Sequence, residues 1–284
     1  MVISIASGKG GTGKTTVAVN MALSIGNAQL IDCDVEEPNA HIFVKPVIKC
    51  SKEAFLPVPR IDIGKCVYCG KCREACLYNA IAVIIPSGDI SGNVLFFPEL
   101  CHSCGACVEL CPAGAISEVD RRIGMIEIGD SGSLQFAHGR LDVGQAMSPP
   151  LIRQVKEFIN PTRTVIIDAP PGTSCPVITA IKGSDYCVLV TEPTPFGLSD
   201  LVLAVETVRE MGIPYGVVIN RSDIGDDNVN DYCERNKIRV LARIPFDREA
   251  AVLYSKGKAI AEENPLWREM FREIYDAIKK EVLG

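Results

Sequence analysis

The sequence predicts an α/β protein, a mostly parallel sheet flanked by helices, into which a smaller cysteine-rich α+β module is inserted. Three observations predict it. Strand-type apolar segments alternate with helix-type segments along most of the 284 residues, the order that builds a parallel sheet covered by helices. The first strand-type segment runs directly into the glycine-rich stretch Gly8-Lys9-Gly10-Gly11-Thr12-Gly13-Lys14-Thr15. Eight of the 13 cysteines fall in two runs of identical spacing, from Cys66 to Cys76 and from Cys101 to Cys111. These runs mark the insertion, so the main domain is expected over residues 1–56 and 118–284 and the inserted one over 57–117. With 47% hydrophobic residues the chain can bury one large core and one small one.

Val2-Ile3-Ser4-Ile5-Ala6 is a short apolar strand, and Val17-Ala18-Val19-Asn20-Met21-Ala22-Leu23 reads as a buried helix. Between them the spacing G-x-x-x-x-G-K-T is that of a phosphate-binding loop. Gly8, Gly10, Gly11 and Gly13 let the backbone turn tightly, so that successive N–H groups, Thr12 among them, converge on one anion. The helix start at Lys14, Thr15 and Thr16 adds the positive end of its dipole. Lys14 would reach the β- and γ-phosphates of a nucleoside triphosphate, and the Thr15 hydroxyl would ligate Mg²⁺.

A second lysine, Lys9, directly follows the first glycine. In this the loop resembles the deviant phosphate loop (deviant Walker A) of the MinD/ParA class of ATPases. The resemblance implies ATP hydrolysis by a nucleotide-sandwich homodimer, with Lys9 crossing to the partner's nucleotide. The next strand-type segment, residues 28–32, leads into Asp32-Cys33-Asp34. In the family the aspartate matching Asp34 positions or activates the attacking water, and the segment as far as Asn39 is the first switch. Asp32 carries the weaker claim of the two. The segment Val35-Glu36-Glu37-Pro38-Asn39 lacks the small residue the family often has there.

Residues 41–50 and 54–59 read as two short strands, with Pro57 and Pro59 as a linker, His41 as a surface or packing residue and Cys50 as a core thiol. The cysteine runs follow: Cys66-x-x-Cys69-x-x-Cys72-x-x-x-Cys76, then Cys101-x-x-Cys104-x-x-Cys107-x-x-x-Cys111-Pro112. They resemble the bacterial two-cluster ferredoxin pattern. The resemblance implies two [4Fe–4S] clusters, one on Cys66, Cys69, Cys72 and Cys111, the other on Cys101, Cys104, Cys107 and Cys76. Zinc would instead use C-x-x-C pairs or mix in histidine. Gly70 and Gly105 allow backbone amides to approach the sulfides. Leu77 stands where the pattern usually has proline, and His102 reads as a surface residue able to tune a cluster by hydrogen bonding. Between the runs, residues 81–85 and 94–97 flank Ser87-Gly88-Asp89 as a hairpin.

Three short strands are expected next, over 122–128, 134–137 and 140–143, with glycines between them and His138 and Arg140 left without an assigned role. A helix over 151–159 leads to the strand 164–168, which ends at Asp168. An apolar strand ending in aspartate is a Walker B pattern, in which Asp168 holds a Mg²⁺-bound water. The run Asp168-Ala169-Pro170-Pro171-Gly172-Thr173 resembles the Mrp-type iron–sulfur carrier branch of the same superfamily, which implies a second switch with the Gly172 N–H near the γ-phosphate. Cys175 stands at the offset where the nitrogenase iron protein ligates a cluster shared across its dimer. No second cysteine completes such a site here, so a packed thiol is the alternative. Strands over 185–191, 215–220 and 239–244 then alternate with helices over 198–211 and 228–235. The family resemblance implies that Asn220, with Arg221 after it, reads the adenine and that Pro245 to Asp247 cover the base. Asp223 echoes guanine readers and keeps GTP as an alternative. The final helix, 266–282, places Trp267, Met270, Phe271, Ile274, Ile278 and Val282 at helical spacing, which reads as core packing.

A net charge of −6 argues against nonspecific nucleic-acid binding. No apolar run of roughly 18 residues exists, and the chain enters a strand and nucleotide loop at once, so no membrane span and no signal peptide are expected and the location expected is cytoplasmic. Taken with the resemblance, the expected activity is that of an ATP-hydrolysing, Mg²⁺-dependent homodimer coupling hydrolysis to electron transfer through two [4Fe–4S] clusters toward a redox partner. Two alternatives stand beside it: a carrier handing clusters to an accepting protein, and a ParA/MinD-like spatial regulator with structural or sensory clusters.

Overall fold

The computed structural model describes all 284 residues. The chain forms two compact units, one of Met1–Lys52, Met125–Arg140 and Leu151–Gly284, the other of Glu53–Gly124 and Leu141–Pro150.

The larger unit begins with β1 (Val2–Ala6), α1 (Lys14–Ser24), β2 (Ala28–Asp32) and α2 (Ala40–Val44). β3 (Val47–Ile61) then carries the chain into the smaller unit, with α3 (Lys71–Ala75), β4 (Ile81–Ile84), β5 (Asn93–Phe96) and α4 (Ala106–Glu109). β6 (Ile116–Ser131) returns it, followed by β7 (Leu134–Leu141), α5 (Pro149–Lys156), β8 (Thr164–Asp168), α6 (Cys175–Ile181), β9 (Tyr186–Thr191) and α7 (Pro195–Glu210). β10 (Tyr215–Asn220), α8 (Asn228–Arg235), β11 (Val240–Ile244), α9 (Arg248–Ser255), α10 (Ile260–Glu263) and α11 (Pro265–Leu283) complete it.

Nine strands form one sheet in the order β11-β10-β9-β1-β8-β2-β7-β6-β3. From β11 to β7 every neighbouring pair is parallel. β7 follows β6 through a two-residue turn at Gly132, where φ is 58°, which only an antiparallel pair allows. The register sets Asp168 opposite Asp32, and Asp32 opposite His138. Open parallel sheets bind ligands at the carboxyl ends of their strands, where the strand order reverses. Here that is the end where β1, β2, β8 and β10 run out.

Three expectations about strands need correction. Val47–Ile61 form the single strand β3 and not parts of two strands. Residues 41–44 are helical rather than extended. The Asp32 carboxylate accepts from the N–H groups of Asn39 (3.1 Å) and Ala40 (3.0 Å), so it caps the start of α2 and outweighs the β-propensity of Ile42, Phe43 and Val44. The strands expected at 134–137 and 140–143 are one strand. Gly139 is no turn: a Cβ there would lie 2.6 Å from Val155 and 2.8 Å from Val35, so the glycine admits α5 against the sheet. Pro57 and Pro59 lie within β3 rather than in a linker. β3 is the last strand in the sheet order, where a missing N–H is tolerated. Cys50, on the same strand, is exposed and is not a core thiol.

The core of the larger unit joins α1, the sheet and α11. On α11 the residues Phe271, Ile274 and Ile278 form one buried stripe. Ile278 is fully buried, so Ile278→Ala is expected to cost about 3 kcal/mol of unfolding free energy by transfer and cavity effects. Chemical denaturation with an unchanged m-value checks this. His138 is buried as well, beside His41 at 5.1 Å between ring centroids, and bonds Glu127 at 2.9 Å. Burial holds its pKa down, and the bond to His138 holds Glu127 below the usual carboxylate range.

Candidate functional site

A cleft of about 490 Å³ opens in the larger unit over the end of β1. Gly10, Gly11, Gly13, Lys14, Thr15 and Thr16 form one wall. Asp34, Glu37 and Asn39, from the segment after β2, face it together with Pro171. Asn220, Arg221, Pro245, Phe246 and Asp247 line the far part with Trp267 and Phe271. The loop keeps its shape by backbone chemistry. Gly11 and Gly13 have φ of 83° and 96°, and a Cβ on Gly13 would lie 2.4 Å from Asn220 Nδ2. That amide nitrogen donates to the Thr12 carbonyl at 2.9 Å, tying β10 to the loop. Gly8 is glycine for another reason, since a Cβ would lie 2.2 Å from the Asp200 carbonyl oxygen of α7.

Carboxylates crowd one side. Asp168 is 1% exposed, and neither of its oxygens has a hydrogen-bond partner. Burial pushes its pKa up, while the Thr15 hydroxyl and the Lys14 ammonium nearby pull the other way. A buried, unpartnered carboxylate beside a threonine hydroxyl and a lysine fits a divalent cation bound with water and phosphate oxygens. Asp32, fully buried, is raised by burial and by Asp168; its oxygens serve the backbone of residues 34–40, so its role is structural. Asp34 is raised to about 6, by burial first, against the pull of Lys14.

A carboxyl with a raised folded-state pKa keeps its proton longer when folded, so Asp34 lowers stability as pH rises from 3.8 to about 6. Asp34→Asn is therefore expected to stabilise the nucleotide-free protein at pH 8 by about 1–2 kcal/mol, after discounting for solvent screening. Thermal unfolding of both proteins at pH 4 and pH 8 checks this; the gap should widen with pH.

Other expected contacts differ. Lys9 does not line the cleft: its ammonium pairs with Glu192 at 2.8 Å, and Glu192 also holds Arg221 at 3.1 Å. The Gly172 N–H donates to the Ser7 carbonyl at 3.0 Å, so it faces β1 and not the cleft, which Pro171 lines instead. Asp247 accepts from the N–H groups of Glu249 and Ala250 and so caps α9 while lining the cleft. Asp223 accepts from the Phe246 N–H at 2.6 Å. Cys175 is exposed at the start of α6, while Cys33, Cys187 and Cys233 are buried.

In the smaller unit the eight clustered cysteines ring two separate cavities. Cys101, Cys104, Cys107 and Cys76 line one; Cys66, Cys69, Cys72 and Cys111 line the other. The backbone repeats at a constant offset. Tyr68 and Ser103 both have φ of 53°, Gly70 and Gly105 have 80° and 73°, and Asn79 and Gly114 have 54° and 56°. The N–H groups of Tyr68 and Ser103 point at the sulfurs of Cys66 and Cys101, and those of Ala80 and Ala115 at Cys76 and Cys111, at 3.3–3.5 Å. Amides aimed at sulfur stabilise thiolates that ligate metal. No group of three His, Cys, Asp or Glu side chains converges to hold a single ion. The four cysteines at each cavity are the all-thiolate donor set that a [4Fe–4S] cluster takes. Tyr78 stacks on His102 at 3.5 Å beside the Cys101 cavity.

Residues 3–260 match the family model described as the CobQ/CobB/MinD/ParA nucleotide binding domain. The chain belongs to this family. Two uncharacterized proteins of Methanocaldococcus jannaschii are each 30% identical to it, one over 96% of both chains, the other over 99% of this chain and 97% of its own. An iron–sulfur cluster carrier protein of Pyrococcus horikoshii is 24% identical over 87% of this chain and 75% of its own. Among solved structures, the septum site-determining protein MinD of Pyrococcus horikoshii, complexed with Mg-ADP, superposes with a TM-score of 0.60 at 17% identity, over 98% of this chain and 96% of that one. That likeness shows the MinD-like phosphate-loop fold. No helix of this CobQ/CobB/MinD/ParA member is long and apolar enough to cross a membrane. Glu37, Pro171 and Tyr254 line the cleft although none of them has a role assigned from sequence, and Phe246, within the Pro245 to Asp247 loop expected to cover the base, lines it with them.

Proposed function

We propose that this protein is an ATPase whose homodimer opens and closes with nucleotide and couples hydrolysis to electron transfer through two [4Fe–4S] clusters. One observation carries the reading: a phosphate-loop cleft and two cavities ringed by four cysteines each belong to one chain. The loop amides and Lys14 neutralise and orient the triphosphate. Thr15 and Asp168 would hold Mg²⁺, which would supply charge neutralisation at the phosphates. Asp34, facing Lys14 across the cleft, orients the attacking water, and its raised pKa brings it closer to the range of a general base. Asn220 keeps its amide nitrogen on Thr12, leaving its carbonyl oxygen as an acceptor for the exocyclic amine of adenine. Asp223 is already engaged by Phe246, which favours ATP over GTP. Lys9 would have to leave Glu192 before reaching a partner's nucleotide. The clusters supply one-electron transfer when bound; the cysteines and the amides aimed at them hold those sites open.

The cluster-carrier reading is favoured by the carrier relatives, whose own clusters are cargo by name. Anaerobic preparation followed by EPR-monitored redox titration, with and without MgATP, separates the two. Electron transfer requires low-potential clusters that stay bound through turnover and shift with nucleotide. A potential indifferent to MgATP, with clusters passing to an apo-acceptor, would establish the carrier.

A further inference from the structure

The far end of the cleft contains an aromatic group that the phosphate chemistry does not use. The stripe Trp267, Phe271, Ile274, Ile278 has the spacing of one helix face. Its last three members are buried, and Trp267 alone is only partly covered. Trp267, which begins that apolar face, lines the cleft that Pro245 and Phe246 also line. The start of α11 is also fixed. Asn264 caps it by accepting from the Leu266 N–H at 3.0 Å, and Arg268 donates to the Ala261 carbonyl at 2.8 Å. The Ala261 N–H donates to Asn20 Oδ1 on α1 at 2.9 Å. α1 begins at Lys14, so the indole is held on the same rigid frame as the phosphate loop.

We propose that Trp267 forms the aromatic wall on which the purine base of the bound nucleotide packs, making the start of the C-terminal helix part of the base site. This rests on the nucleotide reading above. A partly covered indole in a preformed cleft gains contact area when a planar base enters, at little ordering cost. Asn220, in the lining of the same cleft, supplies the polar contact that orients the base.

Trp267 is the only tryptophan, so its emission reports on this cleft alone. The protein is titrated with MgATP and, separately, with magnesium tripolyphosphate, which lacks a base. Binding is measured by calorimetry, and Trp267 emission and acrylamide quenching are followed in parallel, corrected for cluster absorbance. MgATP is expected to change the emission and to cut acrylamide quenching about twofold, whereas tripolyphosphate binds and does neither. Trp267→Ala should weaken MgATP about tenfold and leave tripolyphosphate affinity unchanged, while Trp267→Phe keeps most of the MgATP affinity. MgATP binding with no change at Trp267 would overturn the proposal and leave the nucleotide reading standing. An equal loss of both ligands in Trp267→Ala would overturn it in favour of a structural role. If neither ligand binds the unaltered protein, both readings fall together.

Discussion

Lys14→Ala is expected to abolish MgATP binding at millimolar nucleotide and to lower kcat/KM at least about 1,000-fold, roughly 4 kcal/mol of transition-state stabilisation. The side chain is buried, with 6% of the residue exposed, at the start of α1. Its ammonium pulls on both Asp34 and Asp168, whose burial raises their pKa values. Removing it leaves the phosphates without their principal cation and leaves two half-neutralised carboxylates facing them. Phosphate release and calorimetry measure the loss, with a circular-dichroism spectrum to show an intact fold. Lys9→Ala is the informative control. Lys9 lies outside the cleft on Glu192, so a single chain should bind MgATP as before. Hydrolysis should then fail only in the step that requires two chains. Unchanged turnover in Lys9→Ala would remove the homodimer from the mechanism.

The second large effect concerns iron. Cys104→Ala and Cys76→Ala are each expected to halve the iron, from about eight to about four atoms per chain, and to leave the same residual EPR spectrum. Cys111→Ala should leave the other spectrum, the one also left by Cys69→Ala. This outcome follows from the crossed lining of the two cavities, in which each fourth cysteine stands with the opposite run. If Cys76→Ala instead matched Cys69→Ala, each cluster would be held by four consecutive cysteines and the crossed reading would be wrong. Iron analysis and EPR on anaerobically prepared protein decide between them.

Much of this was legible in sequence because the signals are local and chemical. A strand, glycines and a helix in register specify the phosphate loop without reference to anything distant. The strands 164–168 and 215–220 were readable to the residue, since a fully buried parallel strand is a short unbroken apolar run bounded by turn residues. The failures share a cause, which is side chains acting over a distance. Residues 41–44 look like a strand until the Asp32 carboxylate is placed over their N–H groups. Gly139 looks like a turn until Val155 is found against it. Gly172 looks aimed at phosphate until Ser7 takes its N–H. Trp267 has helical spacing that is correct, but only the tertiary structure shows where the core stops along that face.

The bond from Asn20 to Ala261 joins groups 241 residues apart, and it bears on how the protein is made. α1 is synthesised well before its packing partners on α10 and α11. The entropic cost of closing so long a loop grows only logarithmically with its length, but the contact cannot exist before both ends do. During synthesis the phosphate loop therefore precedes the Trp267 and Phe271 wall by most of the larger unit, and the cleft is assembled only once that wall is made. A nascent chain shortened before residue 260 should bind nucleotide poorly even with every loop residue in place. Nucleotide occupancy would then report complete synthesis of the larger unit, and nucleotide bound at that moment would draw the folding equilibrium toward the finished form by mass action.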